Sequence, residues 1–190
     1  MPKRSDDYMA DRREEILRAL LRCVEQSGWT ATTIDDVARE AGLSKGAVYT
    51  HFRNKAALLQ GLLDRGMAET ARSYAEVTDK ASFRRLLADH VACVCTGDAP
   101  RLAAGHMEAM LDGVRQPEFR KRIDLAMRHM LDMNCATIAR LNPTLSPAEQ
   151  KRKAATLLLL VEGMRSYRIS TDVFMQEDVR QLVDRLVDEI

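Results

Sequence analysis

Long apolar runs are missing from this chain of 190 residues. A membrane-spanning helix needs roughly 20 apolar residues in succession, and Leu157 to Val161 is as long as any run here. No membrane span is expected. The opening stretch MPKRSDDYMADRREE has no apolar centre, so no secretory signal is expected either. The four cysteines, Cys23, Cys93, Cys95 and Cys135, lack Cys-x-x-Cys spacing. Without an export signal they are expected to be reduced thiols in the cytoplasm. Net charge is also scarce: 29 Lys and Arg against 28 Asp and Glu leave +1. Any signal for a polyanionic partner must therefore be local.

Catalytic signatures are missing too. The chain holds no Ser-His-Asp set, no phosphate-cradling glycine loop, no His-Glu-x-x-His zinc site and no Gly-x-Ser-x-Gly elbow. Acids such as Asp35 and Asp36 stand isolated, as on a solvated helix face. An enzyme is not expected, nor a cofactor, nor a resident metal. Repeats, low-complexity segments and glycine-rich linkers are absent, and β-type alternation is rare.

What remains reads as helix. Hydrophobic residues make up 46% and charged residues 30%, enough for a core under a solvated surface. Ile16, Leu17, Leu20, Leu21 and Val24 recur at helical spacing over 11–26, and Gly28 ends that helix. Thr33, with Asp36 three residues on, opens a second helix that stops at Gly42. Ser44 caps a third, running through His51, and Asn54 caps a fourth reaching about residue 77. Helix, glycine turn, helix is the helix-turn-helix pattern. Longer helices are expected at 82–96, 99–114, 117–141, 147–169 and 175–189. Pro117 and Pro147 suit first helical positions, and Ser146 with Glu149 forms a capping box. The expected fold is all-α, about nine helices. A helix-turn-helix domain (1–54) joins a helical bundle (55–190) through a shared fourth helix.

Residues 41–55, AGLSKGAVYTHFRNK, combine small, polar and aromatic side chains. As a rod in a DNA major groove, about 12 Å wide, the third helix would approach closely at Gly46 and Ala47. Ser44 and Lys45 lie at its N-terminal end, where free N–H groups favour phosphate. Leu43, Val48 and Phe52 would anchor it, leaving Tyr49 and Thr50 to reach phosphates or base edges. Lys55 sits in the first turn of the fourth helix, where the dipole disfavours a cation unless a phosphate docks there. Thr33 offers a hydroxyl to a second phosphate. Taken singly, Thr33, Ser44 and Asn54 are equally well helix caps.

Together, these features resemble the TetR family of bacterial transcriptional regulators. The likeness runs over residues 12–63 and is carried by Gly28-Trp29, Thr32-Thr33-Ile34, Val37-Ala38, Ala41 to Gly46, Tyr49, His51-Phe52, Lys55 and Leu58. Trp29 stands where the family usually has Tyr or Phe. The resemblance implies a homodimer on a palindromic operator, usually repressing. It also implies DNA contacts from Thr33, Ser44, Lys45, Tyr49, His51 and Lys55, with Gly46 and Ala47 facing the groove. No Arg or Asn falls within 44–51, so specificity is expected to lean on Lys45, Thr50 and DNA shape.

By the same resemblance the C-terminal half holds an effector pocket and the dimer interface. The interface is expected on the helices near 147–169 and 175–189, through Leu157, Leu158, Leu160, Val161 and Met164 and through Leu182, Val183, Leu186 and Val187. The alternative is that these stripes close the subunit's own core. Met107, Met110, Met127, Met130 and Met133 suit a variable, largely apolar ligand, with His90, His106 and Asn134 to orient it. Tyr167 and Arg168 are candidates for pocket edge or interface. Cys93 shares a helical face with His90; with Cys135 or His106 alongside, a thiol- or metal-sensing repressor is the alternative reading. Ligand binding is expected to shift the fourth helix and spoil the match of two recognition helices to grooves about 34 Å apart.

Overall fold

The computed structural model describes residues 6–95, 99–167 and 176–190, and these form nine helices without a strand. They are α1 (Asp6–Ala31), α2 (Ile34–Glu40), α3 (Lys45–His51), α4 (Lys55–Ala75), α5 (Lys80–Cys95), α6 (Ala99–Arg115), α7 (Pro117–Leu141), α8 (Pro147–Tyr167) and α9 (Gln176–Asp188). Starts and stops follow local chemistry. Gly28 interrupts α1 at φ 79° and ψ 164°, a conformation that a Cβ would strain. Its carbonyl accepts a hydrogen bond from the buried Thr32 hydroxyl at 2.7 Å. Thr33 and Asp36 bond reciprocally at the start of α2. Ser146 and Glu149 do the same before α8. Pro117 sits at the start of α7, where its missing N–H costs nothing.

Two apolar clusters hold the helices together. The first gathers Ile16, Leu20 and Trp29 of α1, Val37 of α2, Val48 of α3, and Phe52, and it extends to Ala109 of α6 and Phe119 of α7. Trp29 and Phe119 meet edge to face, with centroids 6.2 Å apart. The second cluster joins Tyr74, Phe83, Leu87, Ile138, Leu157, Val183 and Val187. The α4 helix contributes to both, through Ala56, Leu58 and Leu59 at one end and Tyr74 at the other. Its first turns thus belong to the N-terminal core, although they lie beyond residue 54.

The stripes expected to form an interface are largely internal. Leu157, Met164, Val183 and Val187 are buried in the subunit itself, and Leu160 and Leu186 pack against the same cluster. Among the described residues of these helices, the large apolar side chains facing outward are Leu182, one of those expected, at 46% exposed, and Leu159, which was not, at 72%. Helix periodicity gives α8 an apolar run on every side, but only packing decides which side faces in. Arg168 and the side chain of Tyr167 lie outside the described residues.

Candidate nucleic-acid interface and effector cavity

The turn between α2 and α3 depends on Gly42, whose φ of 64° is in the left-handed region. Its N–H donates to the Arg39 carbonyl at 3.1 Å, and that of Leu43 to the Ala38 carbonyl at 2.9 Å. The α3 helix is anchored from below by Val48 and Phe52, both essentially inaccessible. Arg13 of α1 lies over the Phe52 ring at 4.4 Å and donates to the His51 carbonyl at 2.9 Å, securing the C-terminal end of α3. The opposite face presents Ser44, Lys45, Gly46, Tyr49 and Thr50 to solvent, with Ala47 and His51 half-buried.

Several of these groups already have internal partners. The Ser44 hydroxyl accepts from the Ala47 N–H at 3.2 Å. That of Thr33 donates to Asp36 at 2.6 Å, and that of Thr50 donates to the Gly46 carbonyl at 3.0 Å. The Lys45 ammonium pairs with Asp35 at 2.7 Å, which raises its pKa. Both members of that pair are well exposed, so the contact exchanges readily for another anion.

Lys55 departs from the sequence reading. Its ammonium donates to the Trp29 carbonyl at 2.5 Å and the Thr30 carbonyl at 3.2 Å, and sits 4.6 Å from the Trp29 ring centroid. The end of α1 thus explains this cation at a helix start without a phosphate. Burial pushes the Lys55 ammonium below the usual lysine range, against the pull of Asp112 and Glu108. Those acids belong to a seam the sequence did not reveal. Asp112 accepts from the Trp29 indole at 2.9 Å, and Glu108 accepts from the Thr30 N–H at 2.6 Å. Gly105 lies so close to α1 that a Cβ there would stand 2.4 Å from Val24 Cγ1. Another residue sequence reasoning passed over is Arg53, exposed between α3 and α4; its place beside the Asn54 cap was the available signal.

In the C-terminal half, a cavity of about 200 Å³ lies among α4 to α8. Of the residues expected to bind ligand, His90, His106, Met127, Met130 and Asn134 line it. Met107 does not; its sulfur accepts from the Ser166 hydroxyl at 3.5 Å. Met110 lines a separate open groove with Val114 and Ile123, which Met127 also borders. The side chain of Cys93 lies outside the described residues. The α4 helix supplies Leu62, Leu63, Met67 and Thr70, and α8 supplies Val161 and Glu162. Glu162 was passed over in the sequence, where the available signal was a lone acid after four leucines and a valine.

The polar groups of the cavity are ordered. Tyr74 donates its hydroxyl to Asn134 at 2.9 Å, and Asn134 donates to the Met130 carbonyl at 2.9 Å. Burial pushes the Tyr74 phenol up to about 12. His106 Nε2 lies 3.2 Å from Glu162, an ion-pair distance without hydrogen-bond alignment. The thiol- or metal-sensing alternative gains nothing from the described residues. No three His, Cys, Asp or Glu side chains among them are placed to hold a metal ion, and burial raises the thiol pKa values of Cys23 and Cys135, opposite to a reactive thiolate.

A short helix packed over two others behind a glycine turn, its far face exposed, defines the helix-turn-helix class. The comparisons with known proteins agree. Residues 16–62 match the model of bacterial regulatory proteins, tetR family. The chain is similar to the HTH-type transcriptional regulator TtgR of Pseudomonas putida, 36% identical over 93 residues, which is 46% of this chain and 44% of that protein. It is also similar to the HTH-type transcriptional regulator BetI of Burkholderia thailandensis, 27% identical over 163 residues, covering 80% and 79%. With TtgR, the alignment therefore spans less than half of the relative's length. A TetR transcription regulator from Haloarcula marismortui shares the fold with TM-score 0.78 at 24% identity, over 95% of this chain and 98% of that one. Residues 16–62 thus carry the likeness to the TetR family, and the chain as a whole shares the fold of a TetR regulator. The relatives named are transcriptional regulators, and no described helix is long and apolar enough to cross a membrane.

Proposed function

We propose that the protein is a ligand-responsive transcriptional repressor that binds a palindromic operator as a homodimer and leaves it when a small molecule enters the C-terminal cavity. The observation that carries this reading is the exposed N-terminal face of α3, with Ser44, Lys45, Gly46, Tyr49 and Thr50 outward over a buried anchor of Val48 and Phe52. Ala47 borders the groove, and Thr33 and His51 flank the contact. The 1–54 segment docks on DNA, and 55–190 carries the effector and the second subunit. A repressor that meets chromosomal DNA works in the cytoplasm.

Lys55 acts here first as a brace for the end of α1, and reaches phosphate only by leaving the Trp29 and Thr30 carbonyls. Lys45 and Arg53 are the cations better disposed for phosphate. A ligand has two routes to the reading head. The α4 helix lines the cavity with Leu62, Leu63 and Met67 and begins at Lys55. The α6 helix lines it with His106, and two residues on Glu108 grips the end of α1. Release requires that the ligand fit better in the DNA-incompetent arrangement.

Fluorescence anisotropy with duplex from upstream of the coding sequence tests the reading at fixed salt. Saturable binding is expected, with affinity falling as salt rises. Tyr49→Ala should weaken it about tenfold or more while leaving the melting temperature unchanged, since the ring is 44% exposed. Undiminished affinity in that variant would remove α3 as the contact surface.

A further inference from the structure

Among the described residues, the polar side chains of the cavity wall are Thr70, Tyr74, His90, His106, Asn134 and Glu162, with no lysine or arginine. Most are already committed. Glu162 holds His106 at 3.2 Å and has a further interaction besides. Tyr74 donates its proton to Asn134, and Asn134 donates to the Met130 carbonyl. His90 Nδ1 lies 2.9 Å from the Leu86 carbonyl, which only accepts, so that nitrogen carries a proton and spends it there. Thr70 differs. A helical threonine can donate to the carbonyl four residues back, as Thr50 and Thr156 do here. The half-buried Thr70 makes no hydrogen bond through its hydroxyl to any described residue, and its oxygen is not walled in.

Residues four apart share a helix face, so Thr70 stands one turn of α4 from Tyr74 on the cavity wall. The Tyr74 oxygen has given its proton to Asn134 but keeps acceptor capacity. The wall thus offers an unspent hydroxyl donor beside an acceptor. Resting on the effector reading above, we infer that the cavity takes a compact, uncharged molecule bearing a hydroxyl, which accepts from Thr70 and donates to Tyr74. A ligand carbonyl only accepts, and would leave the Tyr74 oxygen unanswered. An ammonium would have to compete for a Glu162 that is already engaged. A carboxylate would meet Glu162 with no lysine or arginine among the described lining residues to offset it. In walls otherwise apolar, an unpaired charge of either sign is costly. Size narrows the class further. A dry cavity of about 150 Å³ holds benzene, so about 200 Å³ here holds one ring with a short side chain. A site that hydrogen-bonds a hydroxyl discriminates against analogues lacking it, because its own polar groups are then left unpaired.

Calorimetric titration of the purified chain at about pH 8, above the ordinary histidine range, tests this with probes built on one ring: 1-phenylethanol, acetophenone, 1-phenylethylamine, benzoate and ethylbenzene. The alcohol should bind at least about fivefold more tightly than the ketone, the amine or benzoate. Thr70→Val removes the hydroxyl at nearly constant shape. It should lower affinity for the alcohol about fivefold or more relative to ethylbenzene. Thr70→Ser should restore the preference, with melting curves establishing that both variants fold. A ketone or charged probe that binds as tightly as the alcohol, or an alcohol preference that survives Thr70→Val, overturns the hydroxyl assignment and leaves the cavity as an effector site. If none of the probes binds, the assignment falls together with the effector reading.

Discussion

Lys55 and Tyr49 lie six residues apart on the two sides of the Asn54 cap, yet the structure gives them opposite work. Tyr49 presents its ring outward and supports little inside the subunit. Lys55 is half-buried, with its ammonium on two carbonyls at the end of α1 and over the indole of Trp29. Removing that ammonium leaves the Trp29 and Thr30 carbonyls without their donor, and partly buried polar groups that lose a charged partner destabilise the fold. Lys55→Met should therefore lower unfolding stability by about 1–2 kcal/mol, read as a reduced urea midpoint with unchanged slope. A variant with wild-type stability and weakened DNA binding would instead assign Lys55 to phosphate alone.

Three helix starts share one chemical device. Asp36 in the first turn of α2, Asp79 just before α5 and Glu149 in the first turn of α8 each accept from a neighbouring hydroxyl and backbone N–H, and those bonds hold each carboxyl below its usual range. A carboxylate whose folded pKa is depressed stabilises the fold fully above its unfolded pKa, at about pH 4. The contribution disappears as pH falls through the depressed folded value. The melting temperature should accordingly fall along an acid limb below about pH 4, and Asp36→Asn should lower it at neutral pH while making that limb shallower. The α2–α3 unit has the most to lose, because two helices of seven residues each are too short to persist without caps and tertiary packing. Circular dichroism melts across pH measure both effects; an acid limb identical in the variant would mean that the cap carboxylate does not titrate with folding.

At the scale of the molecule, the N-terminal unit is held from two sides. The α4 helix runs through both apolar clusters, and α6 closes on the end of α1 through Glu108, Asp112 and Gly105. This places the reading head and the cavity walls on the same two helices. Among the described residues, the large apolar side chains left outward on α8 and α9 are Leu159 and Leu182, and we propose that the twofold contact uses them. Leu159→Glu places a charge where a second subunit would desolvate it. Sedimentation velocity should then show a single subunit, with operator affinity reduced at least about tenfold and the melting temperature of the subunit little changed, since the side chain is 72% exposed. A variant that sediments like the wild type would move the interface elsewhere.

The helices and their ends were legible in the sequence because local chemistry sets them. Gly28, Thr33 with Asp36, Gly42, Ser44, Asn54, Pro117 and Ser146 with Glu149 act on neighbours within four residues, so their effect can be read along the chain. The same holds for the alternation within α3 of buried Val48 and exposed Tyr49. The reach of Lys55 to Trp29, the seam of Glu108 and Asp112 on α1, and the union of His90, His106, Met130, Asn134 and Glu162 around one cavity were not legible. These contacts join residues far apart in the chain, and helical periodicity specifies a face without naming what lies opposite it. For α8 even the face was ambiguous, since four leucines and a valine in succession point every way. The sequence by itself determined most helix starts and stops and which short helix turns an exposed face outward over a buried anchor. Tertiary structure alone decided which apolar and charged side chains meet, because that depends on how the helices pack rather than on how each one winds.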